Sequence, residues 1–464
     1  MFLRVNRKKE RLHSMQPRLR METTMIQLNQ EYEEYIKEHF EESRESGLKV
    51  KEYLYQSTVA YHGRCVHTLH IPKIYSQDEI KDFQRIVKTT YGIFEKIILE
   101  YLKNPAYRRL FPFSKRMEEL ILVPNLYDSV LPIARFDIFY SEETGAFKFC
   151  EINTDGTSAM NEDRELNIAI QYNNAHQHMK SKYEFGTFEL FDSWIDTFMG
   201  LYDTYEKKKE NPRVAIVDFI DSHASETEFE EFRKRFAARG YDCEICDIRR
   251  MTYRDGVLYS HTGNPVDVIY RRAVTSDVEK HYEEIPDFIQ AVKDQAVCLI
   301  GSFCTQIIHN KWLFKVIQEK ETLSLLTDEE QAFVMEHIPE TKLLSAETCD
   351  LQDLIKTKDR WIVKPLDSYA SQGVFAGTDY SDREWTDILE KHMDADYIIQ
   401  EYYPPHRTAN IFFYKENPQF VPYSNMAGLF VYNGNLAGVY SRLSDGGIIS
   451  SQYNEKAVAT LYLK

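Results

Sequence analysis

The sequence has little of what would tie the chain to a membrane or to nucleic acid. Its 464 residues contain no apolar run of the length that crosses a bilayer, and the basic N-terminal stretch lacks the apolar core of a secretory signal. The formal net charge of −16 disfavours sequence-independent binding to nucleic acid, which needs a basic surface. It also disfavours an anionic membrane surface. We therefore expect a cytoplasmic protein with neither kind of partner.

Cysteine is scarce and scattered. The seven cysteines are odd in number and far apart, which is typical of free thiols in a reducing compartment rather than of a disulfide framework. Cys243 and Cys246 form a C-x-x-C pair, but no second pair follows at zinc-ribbon spacing. Their segment, YDCEICDI, predicts a plain strand.

What is present is a chain large enough for two or three domains. The apolar fraction of 43% and the charged fraction of 28% are those of a globular protein, and helical and strand patterns alternate throughout. After Asn211-Pro212, the order strand, helix, strand predicts a doubly wound, Rossmann-like subdomain. We predict four segments, namely a disordered or spurious extension at 1–24, a helical and hairpin part at 25–210, the Rossmann-like part at 211–300, and a last part at 301–464.

Three helix starts can be placed from the sequence. Residues 26–46 combine helix formers with helical periodicity. Residues 77–103 form a second predicted helix, with Ser76 as its start signal. Further on, residues 155–158 predict a turn that caps a helix starting near Ala159. The backbone N–H groups there either hold an anion or belong to an ordinary cap.

The most informative stretch is a predicted hairpin around a polar turn at residues 141–146. Strand side chains alternate between two faces. If odd positions pair with odd positions, one face carries Arg135, Asp137, Glu151 and Asn153. Two carboxylates facing each other destabilise a hairpin, whereas with an amide oxygen they suit Mg2+ carried with phosphates. The alternative is a surface hairpin with ordinary charges, and a one-residue slip in register would separate the set.

Neither of the common phosphate-binding loops is present, since the sequence has no Walker A pattern and no G-x-G-x-x-G. Lys364 nevertheless lies in an apolar strand, where a charge costs free energy unless an anion pairs with it. The small, polar loop that follows, residues 367–373, lets backbone N–H groups approach phosphate oxygens. The alternative is a lysine that snorkels at a strand end.

Three further segments have both a chemical and a plain interpretation. Residues 398–402 end a buried strand. The main-chain edge of this strand either contacts an adenine ring or is an ordinary end of a sheet. Arg442 precedes a flexible Asp-Gly-Gly turn and either clamps a phosphoryl group or lies on the surface. Arg271 and Arg272 end a strand of the Rossmann-like part, where ligands bind in such sheets, or they form a surface pair.

Taken together, these residues resemble the glutathionylspermidine synthase-like branch of the ATP-grasp ligases. The resemblance covers roughly residues 90–460, and its parts are Arg135-Phe136-Asp137, CEINTDGTSA, VDVIYRR, His309-Asn310-Lys311, WIVKPLDSYASQG and GVYSRLSDGGIIS. The metal part precedes the nucleotide lysines, as in the circularly permuted arrangement of this branch. The resemblance implies a mixed α+β and α/β chain, with an ATP-grasp fold and a Rossmann-like preATP-grasp subdomain.

The resemblance also implies a role for each matching residue. The Mg2+ ligands would be Asp137, Glu151 and Asn153. Arg135 would contact the substrate carboxyl group or the γ-phosphate, and Arg442 would stabilise the transferred phosphoryl group. The ATP-binding residues would be Lys311, Lys364, Ser368, Gly373 and an adenine hinge of Gln400, Glu401 and Tyr402.

The implied activity joins a carboxylic acid to an amine or short peptide through an acyl phosphate, with ATP and Mg2+ as cofactors and release of ADP and phosphate. One departure concerns the substrates, because residues 153–158 lack the proline of the family's N-A-D-T-P-T stretch. Two alternatives remain. One is a catalytically silent ATP-binding protein of the same fold, and the other is an ATP-grasp ligase or kinase of unrelated small substrates.

Overall fold

The structure is a computed structural model that describes residues 19–59, 65–221, 224–366, 373–449 and 454–464, with side chains from residue 25 onward. Most of the predicted extension 1–24 lies outside the described residues. So does most of the predicted phosphate loop, including Ser368. Within the described part of the chain, no helix is long and apolar enough to cross a bilayer.

Helices occur along the whole described chain. The α-helices are α1 (Leu19–Glu38), α2 (Phe40–Gln56), α3 (Gln77–Lys103), α4 (Pro105–Arg108), α5 (Lys115–Ile121), α6 (Met160–Ala169), α7 (Asn174–Lys180), α8 (Asp192–Asp203), α9 (Glu226–Ala238), α10 (Thr275–Lys280), α11 (Pro286–Lys293), α12 (Gln306–His309), α13 (Leu313–Val316), α14 (Lys320–Leu323), α15 (Asp328–His337), α16 (Leu351–Lys356) and α17 (Asp382–His392).

Strands alternate with these helices and build several separate sheets. The strands are β1 (Lys73–Tyr75), β2 (Ile133–Tyr140), β3 (Phe147–Asn153), β4 (Phe185–Thr187), β5 (Val214–Asp218), β6 (Cys243–Asp247), β7 (Thr252–Arg254), β8 (Val257–Tyr259), β9 (Val268–Arg271), β10 (Cys298–Ile300), β11 (Thr341–Leu343), β12 (Trp361–Pro365), β13 (Phe375–Ala376), β14 (Tyr397–Glu401), β15 (Arg407–Ile411), β16 (Phe420–Tyr432), β17 (Asn435–Ser444), β18 (Lys456–Val458) and β19 (Thr460–Leu463).

Helix α3 has the predicted bounds, whereas the first predicted helix is divided in two. The Ser76 side chain accepts a hydrogen bond from the N–H of Glu79, whose carboxylate accepts one from the Ser76 N–H at 2.7 Å. This capping box fixes the start of α3. The predicted helix 26–46 instead spans parts of α1 and α2, because His39 between them leaves the helical backbone conformation with φ −117° and ψ 44°.

The central sheet is antiparallel and combines strands from the predicted segments 25–210 and 301–464. Its order is β18-β17-β16-β2-β3, and β15 also pairs with β16. Phe136 and Ile138 of β2 are fully buried, and the ring of Phe94 on α3 packs edge-on against Phe136, with 5.5 Å between centroids. Burying one such side chain is worth about 1.5–3 kcal/mol. The buried set therefore fixes the strand register, since a one-residue slip would turn it outward.

A second sheet is parallel and has the order β10-β9-β5-β6. Its β5, α9 and β6 form the predicted strand, helix, strand unit, in which the helix makes the crossover that parallel strands require. Cys243 and Cys246 lie in β6 as buried free thiols, so the strand prediction for this C-x-x-C pair is confirmed. The predicted boundaries of the subdomain, 211 and 300, stay a prediction.

A third sheet, β11-β14-β12-β13, is antiparallel and has its own small core. Trp361 and Val363 of β12 pack there with Trp385 and Leu389 of α17. Because successive residues of a strand face opposite sides, Lys364 is turned away from this core. It faces the pocket described below.

Candidate functional site

A pocket lies between the edge strand β3 of the central sheet and the strands β12 and β14 of the third sheet. Apolar side chains form much of its wall, among them Phe149, Ile362 and Ile448. The pocket also brings together residues that the sequence placed in four separate motifs. The predicted site residues that line it are Glu151, Lys311, Lys364, Gln400, Glu401 and Tyr402.

The hairpin that carries the predicted metal site has the expected register. Asp137 pairs with Glu151, and Arg135 pairs with Asn153, so the predicted shared face is confirmed. Beyond this point the register shifts and Ile138 pairs with residue 149. Residue 150 is therefore the extra residue of a β-bulge, in which two residues of one strand oppose one of the other.

Asp137 is fully buried in β2 and accepts hydrogen bonds from three side chains. Arg135 donates from Nε to Oδ1 at 2.7 Å and from Nη2 to Oδ2 at 3.0 Å. Asn153 donates from Nδ2 to Oδ2 at 3.0 Å, and Arg442 donates from Nη2 to the same oxygen. Asp137 thus joins β2, β3 and β17 through one carboxylate, with two guanidinium groups to compensate its charge.

Gly428, which sequence reasoning did not single out, makes room for this ion pair. It pairs with Asp137 across β16 and β2. A Cβ atom at this position would lie 2.9 Å from Cδ of Arg135 and 2.9 Å from Oδ1 of Asp137. A glycine inside an apolar strand signals such a close approach, and the segment AGLFV carries that signal.

Glu151 faces the pocket and is paired with Lys311, with 3.1 Å between Oε1 and Nζ. Burial by itself would raise the pKa of the Glu151 carboxyl, but the nearby Lys311 and Arg442 outweigh it and hold that pKa at about 2. The segment before Lys311 is tied to the end of β3, because Thr154 donates from Oγ1 to the carbonyl of Thr305 at 2.8 Å. Glu151 is therefore ionised at neutral pH and its counter-ion is held in place.

The predicted Mg2+ ligands suit that ion by their chemistry, although not all are equally accessible. The Glu151 side chain is about 30% exposed, whereas both oxygens of Asp137 already accept hydrogen bonds. In the described ranges, no three His, Cys, Asp or Glu side chains form a metal-binding group. Mg2+ is usually held by one or two carboxylates together with substrate phosphates. Glu151 with Asn153 fits that pattern, whereas Asp137 is already bonded to two guanidinium groups. The ligand roles stay a prediction.

Lys364 is buried and has two neutral partners. Its ammonium group donates to Oε1 of Gln400 at 2.8 Å and to the carbonyl oxygen of Cys150 at 3.3 Å. Burial lowers the pKa of Lys364, and the Cys150 and Glu151 groups oppose that change. The sequence led us to expect an anionic partner, but no carboxylate in the described residues forms an ion pair with this lysine. The alternative of a lysine that snorkels to water at a strand end is also wrong, because Lys364 is buried.

The predicted adenine hinge, residues 400–402, lines the pocket at the end of β14. The N–H of Glu401 donates to the carbonyl of Glu340 at 2.8 Å, and the N–H of Tyr402 donates to that of Arg360 at 2.7 Å. These two backbone donors are therefore already used inside the protein. The adenine contact stays a prediction, and it would rest on carbonyl oxygens and side-chain surface rather than on these N–H groups.

Gly373 ends the predicted phosphate loop and is the one loop residue that the structure describes. Its φ is +69°, a conformation that favours glycine. A Cβ atom here would also lie 2.7 Å from the hydroxyl oxygen of Tyr397. The backbone therefore requires glycine at this point, beside Val374 of the pocket wall.

Arg442 lies in the interior of β17, so the surface alternative is wrong. Besides Asp137, it contacts Glu455, with 3.5 Å between Nη1 and Oε2. Burial would lower the pKa of its guanidinium group, but Asp137 and Glu455 hold it well above the usual value. Arg442 is a permanent positive charge whose role toward a phosphoryl group stays a prediction.

Arg271 and Arg272 are buried ion-pair residues rather than a surface pair, so that alternative is also wrong. Arg271 pairs with Asp155 at 2.6 Å and Arg272 with Glu228 at 2.7 Å. The carboxylate of Glu228 also accepts hydrogen bonds from the first two N–H groups of α6. The helix starts where predicted, but its cap comes from α9 and not from the preceding turn. These N–H groups are thus already occupied.

Neither the family models nor the curated proteins contain a match to this chain. Among solved structures, a glutathione synthetase-like effector from Globodera pallida, in its apo form, has 10% identity and a TM-score of 0.56 and covers 90% of this chain and 96% of its own. A putative γ-glutamylcysteine synthetase from Methylobacillus flagellatus KT has 10% identity, a TM-score of 0.41 and coverages of 84% and 90%.

The first likeness extends over nearly both chains and shows a shared fold. The fold is of the ATP-grasp type. A D-cycloserine synthetase is also similar, with 11% identity, a TM-score of 0.26 and coverages of 54% and 91%. The likeness to the Globodera pallida protein confirms the mixed α and β ATP-grasp fold expected from the sequence, whereas the narrower assignment to the glutathionylspermidine synthase-like branch stays a prediction.

Proposed function

We propose that this chain is an ATP-dependent carboxylate–amine ligase, which forms an amide bond through an acyl phosphate and releases ADP and phosphate. One observation carries the proposal, namely that Lys311, Lys364 and Glu151 converge on a single pocket from three distant parts of the chain. Near this pocket, Arg442 and Arg135 both bind the carboxylate of Asp137. The fold shared with a protein described as glutathione synthetase-like supports the same chemistry.

Each charged group has a place in such a reaction. Phosphoryl transfer depends mainly on in-line positioning and on neutralising the charge of the phosphates. Lys311 and Lys364 would hold the phosphates of ATP, and Arg442 would oppose the charge that develops on the transferred group. Arg135 would orient the substrate carboxylate. Mg2+, when bound by Glu151 and Asn153, supplies further neutralisation of the phosphate charge.

The walls of the pocket suit a reactive intermediate. An acyl phosphate is destroyed by water, so the site of its formation must exclude solvent. The apolar side chains that line the pocket include Phe139, Phe149, Ile362, Ile448 and Ile449. These apolar side chains would help to keep water away from the acyl phosphate.

The substrates proposed are a small carboxylic acid or peptide and an amine, as in the glutathionylspermidine synthase-like ligases that the sequence resembles. The net charge of −16 favours the approach of a cationic amine over that of an anionic one. The same charge disfavours nucleic acid as a partner.

The test is ADP release from MgATP in the presence of a panel of short peptides and other carboxylic acids, each combined with a panel of amines. We expect ADP release that depends on both substrates, with a product mass equal to their sum less one water. Hydroxylamine in place of the amine should trap the acyl phosphate as a hydroxamate. A phosphorylated product would instead identify a kinase, and ATP binding without any ADP release would identify a silent protein; either result contradicts the proposal.

A further inference from the structure

The two lysines of the pocket are held in different ways. Lys311 has the carboxylate of Glu151 as a counter-ion at 3.1 Å. Lys364 has two neutral oxygens, the side-chain carbonyl of Gln400 and the backbone carbonyl of Cys150. Neutral oxygens replace part of the lost hydration of a buried ammonium group without cancelling its charge. The bonded partners of Lys364 thus leave its charge for an anionic ligand to neutralise.

The oxygen of Gln400 faces Lys364 only if the amide group has one of its two orientations. An amide turned by 180° would present its NH2 group to the ammonium, which is a repulsive contact between two donors. Lys364 itself therefore favours the orientation with the oxygen toward it, and a second partner that binds the Nε2 end of the amide would fix that orientation. Gln400 is only 2% exposed, so this second partner has to be a buried neighbour.

Thr341, which lies directly opposite Gln400 in the neighbouring strand β11, can be that partner. Its hydroxyl donates its single hydrogen to the carbonyl of Pro339 at 2.9 Å. Toward Gln400 the hydroxyl oxygen can then act only as an acceptor. It accepts a hydrogen bond from Nε2 of Gln400 at 2.9 Å, and this leaves Oε1 of the same amide directed at Lys364.

We infer that Thr341 is a positioning residue for nucleotide binding, since it orients the Gln400 amide so that a neutral oxygen holds Lys364 with its charge directed at a phosphate group. The inference rests on the proposed function, in which Lys364 binds ATP phosphates. Thr341 itself does not line the pocket and acts through Gln400 alone. Its effect should therefore appear with ligands that carry phosphate and be absent with adenosine.

The experiment measures the dissociation constants of MgATP and of adenosine for the unaltered full chain and four variants. Thr341→Val removes the acceptor, and Thr341→Ser restores it. Thr357→Val is the matched control. The hydroxyl of Thr357 also forms two hydrogen bonds, one to the carbonyl of Asp353 and one from the indole N–H of Trp361. Neither of these groups contacts Lys364. Lys364→Met reports on the proposed function itself.

We expect Thr341→Val to weaken MgATP binding by about three- to tenfold, the range for a hydrogen bond between neutral groups. Adenosine binding should stay within about twofold, and Thr341→Ser and Thr357→Val should bind MgATP as the unaltered protein does. Equal weakening of MgATP and adenosine by Thr341→Val, or no rescue by serine, would show a merely structural role and overturn the inference.

Two further outcomes separate the inference from the proposal beneath it. If Lys364→Met weakens MgATP binding while Thr341→Val does not, the inference fails and the proposed function stands. If Lys364→Met binds MgATP as tightly as the unaltered chain, the proposed role of Lys364 fails, and the inference fails with it. Should Thr341→Val not fold, Thr341→Ala takes its place, because it removes the same acceptor with a smaller side chain. It should weaken MgATP binding selectively, and unchanged binding would contradict the inference.

Discussion

The carboxylate of Asp137 and the ammonium group of Lys364 are both buried charges, but they are compensated in opposite ways. Asp137 meets two guanidinium groups and an amide. Lys364 meets two carbonyl oxygens and no counter-ion among the described residues. A buried charge is costly unless it is paired or well hydrogen-bonded. The charge of Asp137 is therefore neutralised within the protein. The charge of Lys364 is left for an anionic ligand to neutralise.

This difference separates the part of the site that stabilises the fold from the part that we propose to bind the ligand. The ion pairs of Asp137 join three strands of the central sheet, so a change there removes structural contacts as well as a functional group. Lys364 joins the third sheet to β3 by one hydrogen bond to a backbone oxygen, so a change there should act mainly on binding. The predictions below test this contrast.

The largest effect is expected from Asp137→Ala. Arg135 would lose its carboxylate partner and Arg442 would keep only its 3.5 Å contact with Glu455. Removing one partner of a buried pair costs about 3–5 kcal/mol of unfolding free energy. Urea unfolding measures this loss, and ligase turnover should disappear with it. Glu33→Ala, which removes an exposed pair with Lys37 on α1, is the control and should cost less than about 1 kcal/mol. A loss for Asp137→Ala no larger than that would contradict the structural role.

A smaller effect on stability, and a large one on binding, is expected from Lys364→Met. Methionine keeps the apolar stem and removes the charge, so MgATP binding should weaken by about 10- to 100-fold, as isothermal titration calorimetry would show. No opposite charge is left behind, and the unfolding free energy should fall by less than in Asp137→Ala. Lys391→Met on the exposed face of α17 is the control. Unchanged MgATP affinity together with a severe loss of stability would reverse the comparison.

The smallest effect concerns Glu151, whose pKa of about 2 lies below the ordinary carboxyl value of 4.5. The folded protein then binds fewer protons than the unfolded chain between these values. Its contribution to stability is present above about pH 4.5 and is lost as the pH falls toward about 2. We expect the difference in unfolding free energy between the unaltered chain and Glu151→Gln to shrink from about pH 5 to about pH 3. Since the side chain is about 30% exposed, water weakens the effect; a difference that does not change with pH would contradict it.

The features that the sequence predicted well are those set by near neighbours in the chain. The bounds of α3 follow from Ser76 and the periodicity behind it. The hairpin register follows from alternation and from a short turn, which bring Asp137 opposite Glu151. The strand, helix, strand order after residue 211 is similarly a local pattern.

The features that could not be predicted depend on contacts between distant parts of the chain. Arg442 lies 305 residues from Asp137, and nothing near Arg442 in sequence shows that β17 and β2 flank the same strand. Lys364 was expected to have an anionic partner, but its partners come from 36 and 214 residues away and are neutral. Glu228, which caps α6 from α9, is a further case. Local pattern thus identified the charged residues, whereas their pairing required the fold.

The bulge in β3 has a consequence for how this site can change over generations. Lys364 contacts the backbone oxygen of Cys150 and not its thiol, and every amino acid supplies that oxygen. A substitution at this position would therefore keep that hydrogen bond. Loss of the residue itself would leave Glu151 opposite Asp137 in a regular ladder but would remove the bulge whose backbone oxygen accepts the hydrogen bond of Lys364. In proteins that diverge from this chain, we expect the amino acid at position 150 to vary and a deletion of that residue not to occur.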